Sequence, residues 1–143
     1  MSIDFYTDID MKINSDNPWR ITINGVDGGI IVDKVYVRNS DNRYYYSNIT
    51  VSIGDTNNIY LVDRGWKYKL IQQDYLPATT AWDTISDNNT ISLLNIGSST
   101  LANTTDYIPI FIYMKIPDGQ TVDNVTDLYL SVSATQNLVV SNV

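Results

Sequence analysis

Hydrophobic and polar residues alternate along much of the chain, in short runs separated by polar turns. The clearest run spans residues 108–116, and a second run spans residues 128–134. Residues 117–119, Pro-Asp-Gly, follow the first run as a tight-turn sequence that should end it. Because successive side chains of a β-strand point to opposite faces, both runs predict strands with one buried face. The core residues predicted from these runs are Ile110, Ile112, Met114, Leu128, Leu130 and Val132.

Shorter runs with the same alternation predict further strands. They are residues 9–13, 19–23, 30–37, 49–53 and 91–96, together with a hairpin from 59–62 to 66–71. Residues 30–37 lose their phase by one position, which predicts a β-bulge near Asp33. Residues 77–89 are polar without a period and predict a long loop. Eight to ten short strands at near-regular spacing predict a mainly antiparallel β-sandwich rather than βα units.

Composition favours the same all-β class. The strand-favouring residues Val, Ile, Thr, Tyr, Phe and Trp occupy 60 of the 143 positions, whereas Ala, Leu, Glu, Lys, Gln, Arg and Met occupy only 29. This balance disfavours helices. The length suits one domain over residues 1–143, with residues 1–14 and 135–143 as arms that could dock on neighbours.

The charge balance limits the partners that the chain can bind. A net charge of −7 argues against nucleic acid and against anionic membrane surfaces, because the electrostatic term would be repulsive. The nine cations form no cluster in the sequence beyond Lys67 and Lys69. No stretch approaches the ~20 apolar residues of a membrane span. The first six residues lack the basic and apolar regions of a secretion signal, so we expect synthesis in the cytoplasm.

Catalytic chemistry has few side chains available to it. The absence of His and Cys excludes Ser-His-Asp and Cys-His constellations. Paired carboxylates could act as in glycosidases, and Asp8 with Asp10, or Asp123 with Asp127, are the nearest pairs. All sixteen acidic residues are Asp, so such pairs arise by chance and turn formation explains most of them. We therefore expect no catalytic residues and no enzyme.

The sequence also contains no recognisable motif for a metal or a phosphate-containing cofactor. The loops at residues 14–17, 39–42 and 87–89 are rich in oxygen ligands that calcium prefers, but none has the spacing of an EF-hand loop. The glycines at residues 25–29 precede a strand instead of the helix that a phosphate-binding loop requires. The expectation is a protein with no cofactor and no metal.

Aromatic residues offer one alternative function. Trp19, Trp66 and Trp82, with eleven tyrosines, could line a platform on which a sugar stacks. The same residue types are common in sandwich cores and at protein interfaces. At least one ring of residues 44–46, Tyr-Tyr-Tyr, must point outward if that segment is extended.

Residues 107–121, YIPIFIYMKIPDGQT, and residues 124–132, NVTDLYLSV, resemble virion structural proteins of tailed bacteriophages. Such proteins often carry a strand that ends in a Pro-x-Gly-Thr-like turn, a spacer with Asn and Asp, and an alternating last strand. Residues 35–39 and 46–51 look like the paired earlier strands, and Gln120 is a small departure between Gly119 and Thr121. The resemblance covers roughly residues 30–134. It implies an immunoglobulin-like β-sandwich that packs in a capsid or tail lattice.

The resemblance implies a non-enzymatic virion component, and we expect a capsid decoration protein that binds and stabilises the shell. Its partner would be the major capsid protein or another virion protein, and its location the virion after synthesis in the host cytoplasm. Two alternatives stay open, a carbohydrate-binding or adhesin-type module and a tail or baseplate structural protein. A third class of function is enzymatic, a hydrolase that uses Asp side chains for catalysis.

Surface aromatic residues predict self-association or docking. On the strand 108–116 the odd positions face away from the aliphatic core, so two large aromatic rings should form an exposed apolar patch. A folded-over loop, residues 77–89 for example, is the alternative cover for that face. The candidate interface residues are Phe111, Tyr113, Tyr129, Leu138, Val139 and Val140. A homo-oligomer is the expected state.

Overall fold

The computed structural model describes residues 3–6, 26–76, 88–122 and 127–140. Within these ranges the chain forms seven β-strands and one π-helical turn, Ile59–Asp63, between the third and fourth strands. The single helical segment among the described residues is five residues long, and none there could cross a membrane. The strands are β1 (Ile3–Tyr6), β2 (Val26–Asn39), β3 (Tyr44–Asp55), β4 (Lys67–Gln72), β5 (Ile91–Leu93), β6 (Ile108–Val122) and β7 (Leu128–Leu138).

The strands form two antiparallel sheets. The four-stranded sheet has the order β1-β2-β6-β4, and the three-stranded sheet has the order β5-β3-β7. The first order corresponds to the ABED sheet of a constant-type immunoglobulin domain, and the β3–β7 pair corresponds to its C and F strands. The predicted all-β sandwich is confirmed. Several strands are longer than predicted, with β2, β3, β6 and β7 each exceeding ten residues.

The core lies between the two sheets and follows the predicted alternation. Of the six predicted core residues, five are buried, and Val132 is partly buried and packs against the same cluster. Trp66 and Tyr46 are its largest fully buried members. The alternation of residues 108–116 predicted burial correctly because β6 lies between β2 and β4 inside its sheet, and the even-numbered side chains from Ile108 to Ile116 are all buried.

Three local predictions were wrong. The predicted strand at residues 59–62 is the π-helical turn, because the Asp55 carboxylate accepts hydrogen bonds from the backbone of Tyr60 and Leu61, at 2.7 and 3.0 Å. This side chain takes backbone donors that a hairpin would have used. The bulge predicted near Asp33 lies instead between Asp27 and Gly29. β2 carries apolar residues on both faces, and in the sequence this pattern looks like a one-residue shift in the alternation.

The third error concerns the end of β6, which continues to Val122 instead of ending at Pro117. Gly29 of β2 pairs with Ile116 of β6, but Asp27, two residues earlier on β2, pairs with Thr121, five residues further along β6. The turn sequence is thus accommodated as an irregularity within a strand. The predicted strands 9–13 and 19–23, and most of the predicted loop 77–89, lie outside the described residues.

The parts of the two predicted arms that the structure describes are ordinary strands. Ile3–Tyr6 pairs with the end of β2, and residues 135–138 pair with β3. Each of these segments therefore belongs to a sheet of its own chain.

Candidate functional site

The outer face of the four-stranded sheet gathers most of the lysines of the chain. The register places Lys34 beside Phe111, Lys69 beside Tyr113, and Lys67 beside Lys115. These residues alternate with core-facing ones, so all four ammonium groups project from one side of the sheet. We call Lys34, Lys67, Lys69 and Lys115 the basic face. It holds four of the nine cations of a chain whose net charge is −7.

Like charges meet directly on this face. Lys67 and Lys115 are cross-strand partners, an arrangement that is destabilising unless an anion lies nearby. Lys115 is exposed and Lys67 is half-buried. A cleft of about 260 Å³ opens beside Lys115, between Gly29 and Ile30 on β2 and Pro117 on β6. Charge and shape together suit acidic side chains of a partner.

Lys34 is held in place by its neighbours. Its Nζ donates to the backbone oxygen of Asp74 at 2.7 Å and lies 3.4 Å from the Asp74 carboxylate. Partial burial lowers the pKa of Lys34, but hydrogen bonding to Tyr36 and Asp74 outweighs it, so the pKa is raised overall. The ammonium also lies 5.0 Å from the centre of the Tyr36 ring and 5.1 Å from that of Phe111. Lys34 therefore remains charged and covers part of the aromatic surface.

Phe111 and Tyr113 lie on the outer face as predicted, but the prediction that they form a solvent-exposed patch was wrong. Their exposed fractions are 6 % and 0 %, and Val32 and Ile71 from the flanking strands pack against them. The register explains part of the burial, since each ring has an apolar neighbour directly across a strand. The pair forms a second, smaller apolar cluster.

Tyr129 does not extend this face, because it belongs to the other sheet. It lies on β7 opposite Gly54, and a Cβ atom at Gly54 would come within 2.3 Å of the Tyr129 ring. The ring thus lies over a glycine on the outer surface of the three-stranded sheet. The expectation that Tyr129 joins Phe111 in one patch was wrong, since the two sheets turn their outer faces in opposite directions.

The remaining predicted interface residues lie at one end of the sandwich. Leu138 and Val140 are 67 % and 59 % exposed, whereas Val139 is half-buried. The backbone N–H of Val139 donates to Arg43, and that of Val140 donates to Ser99. The tail therefore leaves two apolar side chains in solvent, in agreement with its prediction as apolar surface.

Beside this tail, residues 94–108 form a structured loop with a cleft of about 170 Å³. Asn103 organises it, since its Oδ1 accepts from the backbone of Thr105 and Asp106 and its Nδ2 donates to the Asp106 carboxylate. The Nε of Arg38 donates to the Thr104 oxygen from β2. The cleft is lined by Leu94, Asn95, Ile96, Asn103, Asp106, Tyr107 and Ile108. This lining carries no nucleophile paired with a base.

The aromatic platform proposed from the sequence loses one member. Trp66 is fully buried, with its ring 4.7 Å from that of Tyr60. Within residues 44–46, Tyr46 is buried and its two neighbours are half-buried. Trp19 and Trp82 lie outside the described residues.

Carboxylates in the described ranges act in turns and ion pairs. No group of three or more of them is close enough to hold a metal ion within those ranges. Asp41 forms a bidentate ion pair with Arg43, at 2.8 and 3.1 Å, and these hydrogen bonds lower the pKa of Asp41 to about 2. The paired carboxylates Asp8, Asp10 and Asp123 lie outside the described residues.

The sequence reasoning missed the basic face, although part of its signal was present. Lys67 and Lys69 are two apart on a strand, which places them on one side, but Lys34 and Lys115 join them only through strand pairing. The chain matches no protein family, no curated protein and no solved structure. Its class therefore rests on the fold, a two-sheet antiparallel β-sandwich with lysines on the outer face of one sheet.

Proposed function

We propose that the protein is a non-enzymatic structural component of a bacteriophage virion, a decoration protein that binds the capsid shell and stabilises it. The basic face carries this proposal. An acidic chain that concentrates four lysines on one sheet has a surface suited to an acidic partner and repels that partner elsewhere. The resemblance of residues 107–121 and 124–132 to phage virion structural proteins supports a virion protein as that partner, and the capsid shell is the partner that we propose.

The geometry of the face favours a protein partner over a small ligand. The lysines are spread over three strands, and the cleft beside Lys115 touches only one of the four. Protein interfaces of ordinary affinity bury about 800 Å² on each partner, which requires a broad surface of this kind. Rim charges of this sort act mainly on association rate and specificity.

The carbohydrate-binding alternative has less support. A sugar platform needs exposed rings, and Trp66, one of its three tryptophans, is in the core. The tail or baseplate alternative predicts the same basic face with a different partner, so the experiment must locate the protein within the particle.

The test is stoichiometric binding to particles. Wild-type protein should copurify with virions, and Lys115→Glu should weaken the binding by about tenfold or more because it replaces an attractive charge by a repulsive one. Ser92→Glu is the control: it adds a negative charge at an exposed position on β5, which belongs to the other sheet.

Three results would overturn the proposal. They are absence of the protein from particles, equal binding of Lys115→Glu and wild type, and a density map that places the protein in the tail instead of the shell. Binding should also weaken with added salt for wild type, since the contact is largely electrostatic.

A further inference from the structure

No strand among the described residues pairs with the outer edge of β7, and we propose that this edge pairs with β7 of a second copy of this chain, antiparallel about a two-fold axis. In an immunoglobulin domain the F strand, which β7 matches, has strand G on its far side. Within the ranges that the structure describes, no strand occupies that position: the three-stranded sheet ends at β7. The proposal concerns self-association and does not depend on where the protein functions.

The other sheet edges carry the features that prevent strand addition. β1 and β5 have only four and three residues. β4 carries two lysines, and its backbone is occupied by side-chain amides: Asn88 accepts from Tyr68, and Asn89 both accepts from and donates to Leu70. Short length, charge and covering groups are the usual protections of an edge strand.

β7 has none of these protections. It runs for eleven residues, LYLSVSATQNL, without a charge, a proline or a glycine. An exposed edge of this kind presents unpaired backbone groups to any compatible strand. A second copy fits because a two-fold axis brings the edge against itself, and an uncharged edge does not repel itself even in a chain with a net charge of −7.

Hydrogen bonds identify which residues face outward. The backbone of Tyr46 exchanges two bonds with Ile96, so it is turned away from its β7 partner Gln136. At the ends of the β3–β7 pair, the odd-numbered residues Asp127 and Val139 bond toward β3 and its flanking residues. Backbone groups alternate in direction along a strand. The even-numbered residues of β7 therefore present their N–H and C=O groups to the open edge.

The experiment compares two proline substitutions on the same strand. Ala134→Pro removes an outward N–H, so the fold should persist while the dimer weakens by about tenfold or more. Ser131→Pro removes an N–H that faces β3 and should lower the melting temperature instead. Sedimentation equilibrium of wild type should give twice the chain mass of 16.2 kDa, and that of Ala134→Pro should give the mass itself.

A second variant covers the case in which Ala134→Pro fails to fold. Ser133→Lys places a charge at an exposed residue of β7 and should also produce monomers, while Ser92→Lys, at an exposed residue of β5, should remain dimeric. Hydrogen exchange then localises the contact, since the amides of Val132 and Ala134 should be protected in wild type and exchange freely in the monomeric variant.

Several outcomes would overturn the proposal. They are a wild type that stays monomeric at the highest soluble concentration, a dimer unaffected by Ser133→Lys, and free exchange of the even-numbered β7 amides within a dimer. Protection of those amides only when another virion protein is added would assign the edge to a different partner and would equally reject the second copy. Failure to bind particles leaves this pairing intact, so the two proposals fail separately.

Discussion

Replacing Ile112 by Asp places a carboxyl group at the centre of the apolar core. Ile112 is 2 % exposed and lies on β6, with β2 and β4 on its two sides. Loss of the buried isoleucine costs about 1.5–3 kcal/mol. Burial raises the pKa of an Asp carboxyl by up to about 3–5 units. At pH 7 only about 3 units above the unfolded value of about 3.9 contribute, so at about 1.36 kcal/mol per unit this adds roughly 4 kcal/mol.

The sum, roughly 6–7 kcal/mol, is close to the whole stability of a domain at the lower end of the usual range. At about 0.05–0.15 kcal/mol per residue, a chain of 143 residues has about 7–21 kcal/mol. We expect Ile112→Asp to be unfolded or barely folded at neutral pH. Urea titration followed by circular dichroism and by tryptophan fluorescence measures this, because Trp66 is buried in the same core.

The effect of Ile112→Asp should depend on pH in a stated direction. The carboxyl has a higher pKa in the folded state than its unfolded value of about 3.9, so the charge penalty is absent below that value and grows as the pH rises toward the folded pKa. The stability difference from wild type should therefore widen between about pH 4 and pH 7. Ile112→Asn, which cannot ionise, should show a constant difference.

An exposed position provides the second control. Ser92→Asp, at an exposed residue of β5, should change stability by no more than about 0.5 kcal/mol. The reasoning fails if Ile112→Asp unfolds within about 1 kcal/mol of wild type. It also fails if Ile112→Asp and Ile112→Asn respond to pH in the same way, since the buried charge would then not be the cause.

Three further predictions test the loops and the β4 edge. Gly97→Ala should cost about 1–3 kcal/mol in thermal unfolding, because φ is 89° and a Cβ atom would lie 2.8 Å from a backbone oxygen. As the control, Gly65→Ala should cost about 1 kcal/mol, because φ is also positive there but nothing lies within 4 Å of the added Cβ atom. Asn89→Ala should lose about 1–3 kcal/mol and speed exchange of the β4 amide it covers; normal protection there would contradict this role. Carbon-detected NMR should give Asp41 a pKa of about 2, and Arg43→Gln should raise this pKa toward the ordinary value. Because the pKa of Asp41 is lowered in the folded state, the stability from this ion pair is present above about pH 4 and is lost as the pH falls through about 2.

Some elements could be read from the chain alone, because their structure depends on local alternation. Residues 108–116 and 128–134 keep a strict period of two, and one face of each is buried against the opposite sheet. Composition excluded helices for the same local reason. Even so, the extent of the strands depended on pairing, since β6 continues through a turn sequence to bond with β2.

Other local predictions failed where a distant or polar contact took precedence over the pattern. Residues 59–63 alternate well enough for a strand, but the Asp55 carboxylate binds their backbone and turns them into a π-helical turn. In β2 the apolar residues on both faces imitated a bulge, because the outer face carries its own apolar cluster around Phe111 and Tyr113. A sequence pattern cannot distinguish a second cluster from a change of phase.

The candidate surfaces show where the information in the sequence ends. Alternation by itself determined that Phe111 and Tyr113 lie on the face opposite the core, and that Lys67 and Lys69 share a side. Only the tertiary structure decided that the two rings are buried, that Tyr129 lies on the opposite outer surface, and that Lys34 and Lys115 complete a basic face. The physical reason is that side-chain direction is set within a strand, whereas neighbours, burial and open edges are set by the pairing of strands far apart in sequence.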